Sequence, residues 1–390
     1  MNPSANGWIK KLLKDVDKNN SFLELSDIEF YDALRTCGFI YGSNVEVIAN
    51  TIYKNDLTEE ELCKVNLLLS FLYLHKNSNS KKAFIETVVD FYKVINEHKT
   101  SFFKDFLSTK NPHELLEKII NKRIQIDTNV ITKNFNYFII NALLYIDLLA
   151  YQEYLNQENI SITHIKNLEA SIATISLDAL NSKKNKNQYD ESLIKLFDAS
   201  LRYHDDTHLK YLDAISYIRN STETYYVLDL ACMATWSDLK IDKKEQQFLV
   251  QLGMDLHIAP ERINESILAI NQFYTKHKND IALLSSKNIV HSFYDNSSKM
   301  VMKLITRNSK RLYQELKNSK ELMILLTKST RRDLTPKEQK KVQEQLLDIF
   351  KSIPSLAIFM LPGGALLLPL VIKFIPKLLP SAFDDNRIDD

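Results

Sequence analysis

A chain of 390 residues with 45% apolar and 25% charged residues has the balance of a folded protein and room for more than one domain. Its formal charge of +1 gives no overall bias toward nucleic acid or acidic partners. Six glycines occur where average usage would give roughly 27. No G-x-G-x-x-G, G-x-x-x-x-G-K-[ST] or G-x-S-x-G is present, which speaks against a nucleotide-binding sheet or a hydrolase nucleophile elbow.

The first 20 residues lack the apolar core of a secretory signal, so none is expected. Helix starts follow. Ser26 with Glu29, and Thr58 with Glu61, have the spacing of a capping box, in which each side chain satisfies a backbone N–H at the helix end. After Thr58, the apolar residues Leu62, Val65, Leu69, Leu72 and Tyr73 return every three or four positions, the helical period. Strand-like alternation is not sustained, and the expected fold class is all-α. Residues 1–181 read as an N-terminal helical domain without a motif that carries chemistry, closed by the polar interruption from Asn181 to Ser192. Cys37, Cys63 and Cys232 are odd in number and far apart, so they give neither a disulfide framework nor a CxxC metal site.

A middle helical domain is expected over 192–286. Near its start, "YHDDTH" sets His204 and His208 four apart with Asp205 between them, the spacing of a zincin helix. Aspartate is a carbon shorter than the glutamate such a site uses, and no third ligand is apparent. A solvated helix face is the preferred reading, and no enzyme is expected. Further on, Asp238, Asp242 and Glu245 fall together as candidate oxygen ligands for a divalent cation, the one cofactor considered. Asp at an N-cap and Glu at N3 are also what any helix start prefers, and calcium or magnesium takes about six oxygens. The order of an apolar helix, Asp238, Ile241, Asp242 and Glu245, a second apolar helix, then Leu252, Gly253 and Pro260 resembles the TerB-like domain of the tellurite-resistance family. That resemblance implies a small helical bundle, and in some members an acidic cation site. Leu239 stands where that loop carries glycine.

Residues 287–345 read as basic amphipathic helices. From Lys299 to Lys341 there are 13 Lys or Arg against 4 Asp or Glu, a local excess hidden by the neutral total. Val301, Leu304, Ile305, Leu312, Leu316, Leu322, Leu325 and Leu326 have helical spacing. Thr335, Pro336 and Glu338 give a cap, a first-turn proline and an N3 acid. Such a stretch suits RNA phosphates or anionic headgroups, and Lys328, Arg331, Arg332, Lys340, Lys341 and Lys351 are expected as a lipid-facing collar.

The reason is the segment that follows, 346–383. Ile353 to Ile372 holds no charge over 20 residues, about 30 Å of helix and the thickness of a hydrocarbon core. Pro354, Pro362, Pro369, Pro376 and Pro380 lie within the segment, and bilayer helices tolerate proline more than soluble ones do. The expectation is a kinked membrane segment, spanning or re-entrant. Gly363 and Gly364 form a small-residue turn through which copies could pack as a homo-oligomer. The basic flank and the acidic tail 384–390 place the bulk of the chain in the cytoplasm under the positive-inside rule.

The helix start Leu334, Thr335 and Glu338, the pair Ile353–Pro354, then Pro362, Leu367–Leu368–Pro369 and the run Lys373 to Phe383 resemble the membrane segment of the Letm family of the mitochondrial inner membrane. Together with the middle domain and the "NPSANGWI" start, the whole is similar to bacterial Letm-related proteins, some labelled biofilm-associated. The resemblance implies a non-enzymatic protein of the bacterial inner membrane acting in membrane or cation homeostasis. It also implies ribosome contact as a family trait. The acidic residue that the family carries three positions after the second of these prolines is Ala365 here. The alternative is a scaffold at the cytoplasmic face, binding anionic lipid, nucleic acid or ribosome through the collar, with a divalent-ion-sensing middle domain.

Overall fold

The computed structural model describes residues 1–52, 56–96, 111–124, 130–157, 160–182, 209–235, 241–277, 281, 289–353, 355–356, 359 and 367–378. Among them every regular element is helical, as the period of the apolar residues predicts. Helix α1 (Trp8–Val16) buries the stripe Trp8, Ile9, Leu12 and Val16. Its N-cap is Gly7, which has no side chain to offer; Glu117, from α5, accepts from the Gly7 and Ile9 N–H groups at 2.9 and 3.0 Å instead. Helix α2 (Asp27–Thr36) and helix α3 (Glu59–Lys76) both begin with the capping boxes read from sequence. Gly38 follows α2 at φ +82°, and a Cβ there would strike the Ser43 carbonyl, so the turn requires glycine.

Helices α4 (Phe84–Asn96), α5 (Pro112–Ile124) and α6 (Val130–Gln157) pack on α3, which is buried from Glu61 to Tyr73, and α7 (Ile162–Asn181) packs on α6. After α8 (Tyr211–Ser216), helix α9 (Ser221–Thr235) is equally enclosed, packed on α7 and on α11 (Pro260–His277), with α10 (Lys243–Asp255) alongside. One hydrophobic cluster extends from Trp8 to Ile281, so the core is continuous across the polar interruption after Asn181. All three cysteines lie buried within it.

Two buried ion pairs cross this core. Asp229 accepts from Arg35 Nε at 2.8 Å and Nη2 at 2.9 Å and from the Tyr31 hydroxyl at 2.6 Å, while Arg35 Nη2 also donates to Ser266 at 2.7 Å. That joins α2, α9 and α11. Asp147 on α6 holds Arg123 on α5 and the Tyr92 hydroxyl on α4 in the same way, at 2.6 and 3.1 Å.

A second hydrophobic cluster, Val301 to Ile375, is separate. Helices α12 (Ile289–Arg307), α13 (Ser309–Lys317), α14 (Lys320–Arg331) and α15 (Pro336–Lys351) turn their apolar stripes inward, and α16 (Leu368–Leu378) packs against α12 and α14. The described part of the expected membrane segment gives no support for a span. Among the described residues of the charge-free run, α15 has ended at Lys351, a bend lies at Ile353, residues 355–356, 359 and 367 are 3-10 helical, and α-helix is present from Leu368. No helix among the described residues is long and apolar enough to cross a membrane. Pro369 sits in the first turn of α16, where its missing N–H costs nothing, and Pro376 lies inside the helix. The apolar side chains Ile353, Leu356, Phe359, Leu367, Val371 and Ile375 are buried against the stripes of the basic helices. The Phe350 and Phe359 rings meet at 4.9 Å between centroids. Pro354, Pro362, Gly363, Gly364, Pro380 and the acidic tail lie outside the described residues.

Candidate functional site

The C-terminal unit owes its basic exterior to its core. Once Leu322, Met323, Leu325 and Leu326 of α14 and Val342, Leu346 and Phe350 of α15 face inward, the intervening lysines and arginines face water. All six collar residues, Lys328, Arg331, Arg332, Lys340, Lys341 and Lys351, are exposed. The turn from α14 to α15 is pinned by one carboxylate. Glu338 accepts from the Thr335 N–H at 3.0 Å and from Arg332 Nη2 at 2.8 Å, with Lys328 Nζ 3.8 Å away. Lys341 reaches Glu321 across the helix pair, and Lys351 pairs with Asp348 at 2.6 Å. Arg331 and Lys340 have no ion-pair partner among the described residues, nor do Lys310, Arg311, Lys320 and Lys337.

Arg332, followed by the Thr335 N–H, holds the Glu338 carboxyl down at about 2. A depressed folded value means that this carboxylate supports the turn above the ordinary carboxylate range and loses that role as pH falls toward 2. In an NMR titration, Arg332→Ala is expected to move the Glu338 midpoint upward, toward about 4.3. An unchanged midpoint would remove Arg332 as the cause.

The other sequence-derived positions fare differently. Asp242 is the N-cap of α10, its Oδ1 accepting from the Lys244 and Glu245 N–H groups at 2.7 and 2.9 Å, and Glu245 accepts from the Asp242 N–H at 2.6 Å. Asp238 lies outside the described residues, as do His204, Asp205 and His208. Among the described residues no group of three or more acids, histidines or cysteines could hold a metal ion.

Two features gave no signal in the sequence. A cleft of about 490 Å³ opens between α6, α7 and the start of α9, with Glu153, Asn156, His164, Arg219 and Glu223 in its lining. Its wall holds His164 Nε2 at 3.0 Å from Glu223, whose carboxylate also takes the Arg219 N–H and the Asn220 amide. The second feature joins the two units. Arg307 of α12 makes a two-pronged ion pair with Glu61 of α3, Nη1 to Oε2 at 2.5 Å and Nη2 to Oε1 at 2.8 Å. Lys303, one turn earlier, donates to the Leu57 carbonyl at 3.2 Å. Glu61 was readable as a capping residue; its partner, 246 positions away, was not.

Residues 334–390 match the family described as LETM1-like, RBD. Over 53 residues the chain is 44% identical to the "Mitochondrial proton/calcium exchanger protein" of Drosophila melanogaster. The alignment covers 14% of this chain and 5% of that protein, so only a small part of the relative's length has a counterpart here. No solved structure matches the chain. Over residues 334–390, then, the chain is similar to the LETM1-like RBD family, and over 53 residues to the fly protein.

Proposed function

We propose that this chain is a non-enzymatic, Letm-related protein of membrane cation homeostasis, and that the C-terminal unit is the part that works at the membrane. The observation that carries the reading is the match of residues 334–390 to the LETM1-like RBD family, beside the 53-residue likeness to the fly exchanger. Chemistry of the same unit supports it. Residues 299–378 carry 16 Lys or Arg against 6 Asp or Glu, and an anionic bilayer surface attracts such a unit. The proposal extends to a bacterial protein of the biofilm-associated type, with a TerB-like middle region, the bulk of the chain on the cytoplasmic face of the inner membrane, and copies paired through Gly363 and Gly364.

The test compares full-length protein with a version ending at Lys351 by fractionation of the cells that make them. Full-length protein is expected in the membrane pellet at low salt and the shortened one outside it. Equal partition of the two would end the reading. A second reading, a scaffold that binds RNA or the ribosome, is favoured by the six exposed cations without ion-pair partners. RNA capture with a steep salt dependence, and no vesicle binding, would select it.

A further inference from the structure

Among the described residues the two hydrophobic clusters do not merge, and the bonds that join the units there are polar. Its centre is the Arg307–Glu61 pair, with side chains only 9% and 1% exposed. Around it, Arg307 Nη1 also points to the Asp56 carbonyl at 3.4 Å, and Lys303 holds the Leu57 carbonyl. The charges of the two units oppose each other. Residues 1–298 carry 33 Lys or Arg against 39 Asp or Glu, an acidic unit facing the basic one.

Lys303 and Arg307 lie four apart, on one face of α12, and the cationic edge continues into Lys310 and Arg311 of α13, which have no ion-pair partner among the described residues. We propose that the N-terminal unit masks this edge in cis: Glu61 occupies the Arg307 fork, the Leu57 carbonyl engages Lys303 beside it, and the ligand of the two cations in trans is the phosphate of a lipid headgroup. The proposal rests on the membrane reading above and adds its regulation.

Three features suit an exchange of anions. A guanidinium fork takes phosphate in the same planar geometry as carboxylate. Arg307 Nε, buried in the clamp, has no acceptor among the described residues, so the clamp leaves one donor that a phosphodiester oxygen would satisfy. Glu61 is not orphaned when Arg307 leaves, because the Ser4 hydroxyl at 2.7 Å and the Thr58 N–H at 3.0 Å remain on its carboxylate. Release therefore leaves a satisfied acid on one side and, on the other, an unmasked Arg307 beside the already exposed Lys303, now freed from the Leu57 carbonyl.

The test uses the full chain with Glu61→Gln. Glutamine at N3 still completes the capping box with Thr58, while the charge that holds Arg307 is gone. Dyes at Lys11→Cys and Glu344→Cys, both exposed positions, report the separation of the units. The variant is expected to show a longer inter-dye distance. It should also bind phosphatidylglycerol-containing vesicles about thirtyfold tighter than the parent, the effect of two basic side chains released to an anionic surface. Adding Lys303→Ala and Arg307→Ala should keep the long distance and abolish the gain. Independently of any variant, phosphatidylglycerol vesicles should lengthen the distance in the parent chain, and phosphatidylcholine vesicles should not. Unchanged distance and affinity in Glu61→Gln, or a parent chain indifferent to anionic vesicles, overturns the proposal. Opening by millimolar inorganic phosphate alone would overturn the lipid as ligand and assign the site to free phosphate. A lengthened distance in Glu61→Gln with no vesicle binding by either protein would sink the membrane reading while the clamp itself stands.

Discussion

Asp229→Ala is expected to lower the free energy of unfolding by about 3–5 kcal/mol, the effect of leaving one member of a buried ion pair without its counter-charge. Asp229 is fully buried, and three hydrogen bonds from Arg35 and Tyr31 converge on it. Without it, the Arg35 guanidinium keeps only the neutral Ser266 hydroxyl at 2.7 Å and the half-exposed Asp32 at 3.0 Å. Burial, and after it Asp229, push the Tyr31 phenol well above its ordinary range, so it stays a donor throughout. The cost should therefore belong to the charge. Replacing both partners, as Asp229→Leu with Arg35→Met, should recover most of it, since no buried charge is then left uncompensated. Urea unfolding monitored by circular dichroism measures both. A loss below about 1 kcal/mol for the single change would mean that water reaches Arg35 and that the centre is not closed.

The second large effect is expected in the other unit. Phe350 is fully buried, joins the end of α15 to Phe359, and sits where the charge-free run begins. Phe350→Ala should destabilise residues 301–378 by about 3–5 kcal/mol through lost burial and the cavity left behind. Because the two clusters are separate, protection of α3 and α9 against hydrogen exchange should hardly change. Loss of protection confined to the C-terminal helices of the purified, lipid-free chain is the expected result. A uniform loss over the whole chain would show that the two cores act as one.

What could be read from the sequence was local. The boxes at Ser26, Thr58 and Thr335 each join residues three apart, and the structure forms all three. The Asp242 cap belongs with them and accounts for the placement of Asp242 and Glu245. The long-range pairs could not be read, because Arg35 and Asp229 are 194 positions apart and nothing in either neighbourhood marks the other. The charge-free run shows a different limit. Hydropathy and length register that Ile353 to Ile372 avoids water, and they are blind to whether its solvent is lipid or other side chains. Two signs pointed to side chains. The apolar stripes of α12, α14 and α15 needed something to cover them, and the prolines of the segment forbid a single straight helix. The residues of the basic collar, by contrast, are exposed because they form the outer half of those same stripes.

The burial of the thiols has a practical consequence. Burial pushes the Cys37 thiol up to about 12 and the Cys232 thiol well above its ordinary range, and Cys63 is fully enclosed. Thiolate, the reactive form, is thus scarce and shielded while the fold is intact. All three sit in the first cluster and none in residues 301–378. The rate at which a thiol reagent consumes the native chain is therefore a clock for breathing of the N-terminal unit alone, blind to any motion of the basic one.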